Sequence, residues 1–593
     1  MVVKTTVPNR LTVGQRTLDP YVRVQILLRQ PASRHVGLED QDVALSRRKS
    51  RVRIPHVVPF RVGSVSPPRV PTLFFMYRSS ALGKCRAFVV FLLLLSCLKK
   101  KVDTTAEISL IFFIDVVQWA SMKNVFAALK KERRFRCLLW IFCLILALAN
   151  LSPAWAQQKV NYYSEILPNG MLLVLSENYA SPTCSLNIFC KVGGFEETAE
   201  TMGISHFFEH LFFRGTPTLN GYQFKRAIEA LGGQTNASTS RDFTHYYINL
   251  PSKNAVKGMR LLADALKNAE LDQESIDQER KAVLEEYRMN LESPARIMNQ
   301  LISEMAYGDH PYARPIIGTE YTIKSFNRPE FLKFRDTFIA PERTSVVIVG
   351  DFNSAEMLNV LREEFASFTR PQKRIISNYA AIKKPEKEVV NTQEVKAQSS
   401  FIMVGFVGPS IHDKPDIYQV DVMSFLMGLG RGSLIQRELV KKGKIQDGGV
   451  QFLTQRFPGL VSFYGIGKVG QEERIKRELL SIVDSVCQGK FTERDLRRAK
   501  AFLRSNYSFS EETNAGKAEN LGFYASIDDV KFTNRYLEEI EKVTKADVIA
   551  AAHKYLNGGY YCVKLVGQPP KKANGAGIKN EGAAASDNYA VEH

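Results

Sequence analysis

The sequence predicts an α+β protein made of two homologous halves, each a mainly antiparallel sheet packed with helices. One observation is an internal repeat. Phe326-Asn-Arg-Pro-Glu-Phe-Leu-Lys-Phe-Arg-Asp-Thr-Phe and Val543-Thr-Lys-Ala-Asp-Val-Ile-Ala-Ala-Ala-His-Lys-Tyr are both polar-started amphipathic segments. Each leads into an apolar strand closing on Val-Gly, at Gly350 and at Gly567, an offset of 217. The other observation is that helical and strand periods mix throughout residues 157–568 rather than alternating strictly, the pattern of helices set on an antiparallel sheet.

Taken in order, Tyr162–Ile166 and Met171–Ser176 flank Pro168-Asn169-Gly170, a hairpin signal. Cys184–Val192 alternates as a strand does. Met202–Phe213 and Tyr222–Leu231 read as helices, the second stopped by Gly232-Gly233. Gln234–Ser240 and Phe243–Leu250 read as strands. Ala255–Leu266 and one long segment from Glu274 to about Glu304 read as helices. In the second half, strands are expected near Phe401–Phe406, Gly449–Leu453 and Leu460–Tyr464. A basic, proline-containing stretch from Pro371 to Glu386 reads as the linker. The expected domains are 157–373 and 374–568, followed by an Ala/Gly/Asn/Lys-rich disordered tail over 569–593.

Net charge narrows the function classes. The chain carries +19, which taken whole suggests a nucleic-acid binder. Residues 1–156 hold 25 Lys+Arg against 8 Asp+Glu, however, so the remainder carries only +2. The body has no long basic stripe, and nucleic acid is not an expected partner. Residues 122–156 read as a secretory signal peptide: a basic segment after Met122, an apolar run from Cys137 to Ala149, and the small-residue site Ala154-Trp155-Ala156. The run is shorter than the ~20 residues of a membrane span, so cleavage after Ala156 is expected, leaving no stable span; an uncleaved anchor is the other reading. A signal peptide does not work from behind a long preamble. Translation is therefore expected to begin at Met122, with 1–121 a start-site artefact or unstructured leader; an organellar transit sequence is the competing reading. The expected location is exported, in the periplasm, with membrane-anchored or mitochondrial as alternatives.

Four cysteines follow Ala156. Cys184 and Cys190 are six residues apart on one strand, so their Cα atoms stand ~20 Å apart and cannot bridge. Buried thiols are expected, with a Cys487–Cys562 bridge the alternative.

The chemistry concentrates at His206-Phe207-Phe208-Glu209-His210. On a helix, His206 and His210 share a face, where two imidazoles can grip one zinc ion, with Glu209 beside them. A catalytic zinc needs a third ligand and an open position. The helical face Glu279, Ala282, Val283, Glu286 sets acids at both ends of an otherwise apolar stripe, and a buried carboxylate is costly unless it meets a metal or partner. Glu286 is the expected ligand, and Glu279 orients the ligands from behind; Glu285 lies off that face. His245 and His310 are expected to be packed and loop-fixing side chains, and His412 and His553 carry no signal.

These residues, with Phe213-Arg-Gly-Thr216, Asn236-Ala-Ser-Thr239 and Glu279-Arg280, resemble the pitrilysin or insulinase family of zinc peptidases, especially its short bacterial and mitochondrial-processing-like members. The resemblance covers residues 160–567. It implies that His206, His210 and Glu286 hold one Zn2+ per chain and that Glu209 is the general base on zinc-bound water. It implies that Asn236, Ala237 and Thr239 lie on an edge strand that pairs with extended substrate, simple sheet closure being the plainer reading. Single-chain members of the family also carry an Arg and a Tyr seven residues apart. Val440 and Asp447 stand at those positions here, and Lys444 stands where a Tyr would follow Arg437. The expected function is an exported zinc endopeptidase acting on peptides or unfolded small proteins. It would be the zinc-bearing chain of a two-chain assembly, with a homologous partner carrying the Arg/Tyr pair or with a second copy of itself. A non-catalytic structural homologue and a mitochondrial processing-type subunit are the alternatives.

Overall fold

A computed structural model describes residues 161–369, 379 and 381–568, which belong to one compact unit. The expected leader, the signal peptide, most of the linker and the C-terminal tail lie outside the described residues.

The first half opens with β1 (Tyr163–Ile166) and β2 (Leu172–Glu177), antiparallel around a turn at Gly170. There follow β3 (Thr183–Cys190), α1 (Ile204–Leu211), the short hairpin β4 (Gly215–Thr216) and β5 (Leu219–Asn220), α2 (Gly221–Ala230), β6 (Gln234–Thr239), β7 (Thr244–Pro251) and α3 (Ala255–Asn268). Next come α4 (Gln273–Glu292), α5 (Pro294–Tyr307), α6 (Glu320–Ser325), α7 (Arg328–Phe338), β8 (Thr344–Gly350) and α8 (Ser354–Phe365). The sheet order is β1-β2-β8-β3-β7-β6, with β2 and β8 parallel and the other pairs antiparallel, so β6 is an edge.

One expectation needs correction. The helix expected to run from Glu274 to Glu304 is two helices. Pro294 cannot donate to the preceding turn and forces Ser293 out of helical geometry, to φ −90° and ψ 112°. β3 alternates in residue type, yet Cys184 to Cys190 are all buried. Both of its faces are covered, one of them by the other half of the molecule.

The second half contains β9 (Val389–Val395), β10 (Ser399–Val407), α9 (Asp416–Met427), β11 (Asp447–Phe452), β12 (Leu460–Lys468), α10 (Glu472–Cys487), α11 (Glu493–Ser510), α12 (Asn514–Ile527), α13 (Thr533–Lys542), α14 (Lys545–Leu556) and β13 (Tyr561–Gly567). Its sheet order is β11-β12-β10-β13-β9, with β13 and β9 parallel. Read from the other edge, this repeats β2-β8-β3-β7-β6 strand for strand. The helix caps Asn327 and Thr544, and the strands β8 and β13, keep the 217-residue offset seen in the sequence.

The halves are joined by exchange. α5 leaves the first half and packs on β10 and β13, where Met298, Ile302 and Ala306 meet Met403, Val563 and Leu565. α12 returns the exchange by packing on β3 and β8. Its N-terminal Asn514 donates to the Thr183 carbonyl at 2.9 Å and accepts from Asn178 at 2.6 Å. A polar clasp adds to this apolar contact. Arg456, from the loop between β11 and β12, lies 3.5 Å from Glu196 and 3.4 Å from Asp242, with its guanidinium 4.2 Å from the Phe195 ring centre.

Cys184, Cys190, Cys487 and Cys562 are free thiols, so Cys487 and Cys562 form no bridge. No helix among the described residues is long and apolar enough to cross a membrane.

At Gly522 of α12, a Cβ would lie 1.9 Å from the Phe189 ring. Alanine normally stabilises a helix interior by about 1 kcal/mol over glycine. Here overpacking against a fixed ring dominates. Gly522→Ala is expected to destabilise the protein by about 1–3 kcal/mol, read as a lower denaturant midpoint.

Candidate metal centre

α1 starts at Gly203, whose φ of 90° suits glycine, and where a Cβ would meet the Ile317 carbonyl at 2.5 Å. The buried Glu197 carboxylate accepts from the backbone N–H groups of Gly203 and Ser205, both at 2.8 Å. These would otherwise be among the orphan donors of the helix start. Phe207 packs edge-on against Phe331, and Phe208 packs against Phe334, with ring centres 5.0 and 5.3 Å apart. These contacts fix the rotation of α1, so His206 and His210 emerge on the same side, with ring centres 4.9 Å apart.

α4, capped by Asp272 on the Ser275 N–H, carries Glu279 and Glu286 past that face. Glu286 Oε2 stands 3.5 Å from His206 Nε2 and 3.6 Å from His210 Nε2. One ligand atom from each of the three lies within 4.8 Å of the others, the one such cluster of His, Cys, Asp or Glu among the described residues. Glu279, 5% exposed, faces His210 Nδ1 at 3.1 Å and is itself held by Arg214. That contact puts a proton on Nδ1 and leaves His210 Nε2 free to bind. Nε2 is buried and has no hydrogen-bond partner. Two imidazole nitrogens, one of them orphaned and buried, and a carboxylate oxygen suit a zinc-type cation, with Glu279 and Arg214 as the supporting layer.

The electrostatics agree with a cation seat. Burial pushes His206 down to about 4. Burial also opposes charge on His210, but its contact with Glu279 and the nearby negative charge of Glu286 prevail and hold it up at about 10. Burial of Glu286 is likewise outweighed by the two imidazoles, which bring it down to about 2.

Glu209, 6% exposed, lies beside this cluster. Its Oε2 accepts from the Thr239 hydroxyl at 2.6 Å. Thr239 ends β6, and its hydroxyl is engaged by Glu209. Asn236 and Ala237 lie on β6, which pairs on one side only, with β7. Ala237 is buried, and Asn236 Oδ1 accepts from the Ala237 N–H, so the groups left to offer along this edge are mainly backbone. Glu285 is exposed and pairs with Arg288 at 3.1 Å. His245 is stacked on Phe189 at 3.9 Å and bonded to Asn187 at 3.0 Å. His310 accepts from the Tyr312 N–H at 3.2 Å, fixing its loop.

Val440 ends a π-helical turn and Asp447 opens β11. Arg437 is held by Glu438 and Asp495 at 2.7 and 2.8 Å, and Lys444 by Glu478 at 2.7 Å. Sequence reasoning gave no role to Arg214, Glu197 or the Thr239–Glu209 contact. Arg214 stands within Phe213-Arg-Gly-Thr216; the other two depend on how distant segments meet.

Residues 173–320 match the family described as Insulinase (Peptidase family M16), and residues 325–503 match the Peptidase M16 inactive domain. The chain belongs to the insulinase family, M16. Its relatives include the uncharacterized zinc protease YmxG of Bacillus subtilis, 26% identical over 61% of this chain and 89% of that protein. The zinc protease PqqE of Helicobacter pylori is 25% identical over 66% of this chain and 89% of its own length. A crystal structure of a protease from Helicobacter pylori has the same fold, with a TM-score of 0.66 at 24% identity over 69% of this chain and all of that one. The peptidase M16 inactive domain from Pseudomonas fluorescens superposes with a TM-score of 0.63 at 16% identity, over 69% of this chain and 99% of that one. These relatives support a peptidase-family function and imply zinc.

Cation binding at this seat must expel the proton that the metal-free pocket holds on His210. Apparent zinc affinity is therefore expected to rise about tenfold per pH unit from pH 5 through pH 8. Ordinary imidazoles, already neutral, would level off above pH 7. Competition titration with a chromophoric chelator across that range checks it. Glu279→Gln is expected to weaken zinc about 10–100-fold by the same assay.

Proposed function

We propose that this chain is an exported zinc-dependent endopeptidase that hydrolyses peptides or unfolded small proteins. The observation that carries the reading is the meeting of His206, His210 and Glu286 around one point, with Glu209 beside it and the open edge of β6 nearby. His206, His210 and Glu286 would hold the metal. Bound there, zinc would acidify water and polarise the scissile carbonyl.

The chain's own residues supply the rest. Glu209 takes a proton from the attacking water and delivers it to the leaving amine. Thr239 donates to one carboxylate oxygen of Glu209, which fixes the rotamer of the base. Glu279 and Arg214 hold His210 in the tautomer that presents Nε2. The unpaired side of β6 gives an extended substrate backbone donors and acceptors at strand spacing, which favours unfolded chains over folded ones.

Two further parts of the proposal rest on sequence. The basic segment, apolar run and Ala-x-Ala site of residues 122–156 support export. Val440 and Asp447, standing where single-chain family members carry Arg and Tyr, support a two-chain assembly. In it, a homologous chain or a second copy completes the site.

The deciding assay is hydrolysis of a quenched fluorescent unstructured peptide, with zinc content measured alongside. Glu209→Gln is expected to lose roughly 10²–10⁴-fold in turnover while keeping stoichiometric zinc. Thr239→Val removes a hydrogen bond to a charged group and is expected to lower kcat about tenfold or more, with Thr239→Ser close to wild type. A wild type that binds no zinc would sink the reading.

A further inference from the structure

α9 and α11 stand in the second half where α1 and α4 stand in the first. Counted from the caps Asp272 and Thr492, the positions of Glu279 and Glu286 fall on Ala499 and Asn506. α9 contains no histidine, and its inner face presents Met423, Leu426 and Met427. The metal-binding chemistry is gone from this copy, but the cleft is not. A cavity of about 380 Å³ lies between the end of α9, the loop after it and α11. That volume lies in the range of small-ligand and side-chain pockets.

Its walls are mainly apolar, with Phe425, Leu426, Leu429 and Phe502 among them, and Arg431 and Arg498 also line it. Arg431 is exposed and has no acidic partner among the described residues. Arg494 sits one turn before Arg498 on the same face of α11, and Arg497 is adjacent. Both are exposed. The acid lining the cavity, Asp495, is buried and saturated: it takes Arg437 at 2.8 Å, Arg498 at 2.5 Å and the Thr492 hydroxyl at 2.8 Å. The one exposed acid in that first turn of α11 is Glu493. An apolar hollow thus opens beneath a cationic rim.

We infer that this cleft is an anchoring site for a second segment of the substrate polypeptide, one in which a bulky apolar residue is flanked by acidic residues. The apolar side chain fills the hollow, and its carboxylate neighbours meet Arg431 and Arg494. The inference rests on the hydrolytic reading for the word substrate, but binding itself needs neither metal nor Glu209.

The test therefore separates the two. Binding of a fluorescein-labelled peptide with two phenylalanines among glutamates and aspartates is followed by anisotropy, using the full chain in excess chelator. Its counterpart has lysine at every acidic position. The acidic peptide is expected to bind at least tenfold tighter and to weaken as salt rises. Arg431→Glu with Arg494→Glu is expected to weaken it about tenfold or more. Ala499→Phe, which fills the hollow, should weaken it while leaving the circular dichroism unchanged. His206→Ala should have no effect. Equal binding of the two peptides, or binding indifferent to both rim and hollow variants, overturns the proposal.

Hydrolysis supplies the second readout. Adding the acidic-apolar segment to a cleavable peptide should lower KM about tenfold at constant kcat, and the double arginine variant should abolish that gain. If that variant instead loses a copurifying chain while KM stays put, the occupant is a partner protein and the inference falls. Chelator-insensitive binding with no hydrolysis by any form would fault the peptidase reading and leave the cleft standing.

Discussion

The exchange of α5 and α12 between the two sheets is the constraint on which the remaining geometry rests. A sheet with one bare apolar face is not a stable object in water, and here each sheet obtains its second cover from the other half. β3 is buried along its length because α12 lies across it. The consequence reaches the metal centre directly. Glu286 lies on α4, and less than two turns later the chain breaks at Ser293-Pro294 and becomes α5, docked on the second sheet. The third ligand is held at one end of a helix whose continuation is fixed by the neighbouring domain. A shift between the halves would pull on Glu286 before it touched either histidine, which both sit on α1.

Within the centre, charge is managed by layers. Three carboxylates and two imidazoles gather in a space closed to most water, which is tolerable only if each has a partner. Glu279 has His210 and Arg214; Glu209 has Thr239; Glu286 has the two imidazoles and, when present, the cation. The same logic explains the second half, where Ala499 stands level with Glu279 and Asn506 with Glu286. Without a cation to neutralise it, a buried carboxylate at that place would be expensive, and the acids are absent.

Much of the centre was legible because its signals are local. The four-residue spacing of His206 and His210 and the seven-residue spacing of Glu279 and Glu286 are helical periods, and each pair shares one element. The duplication was legible because caps and strands kept a constant offset. Other features depend on what meets across the fold. The Thr239–Glu209 contact spans 30 residues and joins a sheet edge to a helix, so no period announces it. The family resemblance places Thr239 on a strand that pairs with substrate; that its hydroxyl turns toward α1 is a property of the pleat. Pro294 was visible in the sequence, and the helical period on either side obscured its effect. Nothing in the composition of β3 or α12 reveals that they are partners.

The exchange also sets an order of events during synthesis. Thr183 on β3 and Asn514 at the start of α12 are 331 residues apart, yet they are hydrogen-bonded neighbours. The first sheet can pair its own strands early, since the last of them ends at Gly350. Its outer face then waits, uncovered, until most of the second half has emerged from the ribosome. A chain built this way spends its nascent life with a sticky surface exposed, and contacts at such sequence separation form slowly. Fragments ending near the linker would inherit that surface permanently, so the boundary that divides the repeats is a poor place to cut the polypeptide.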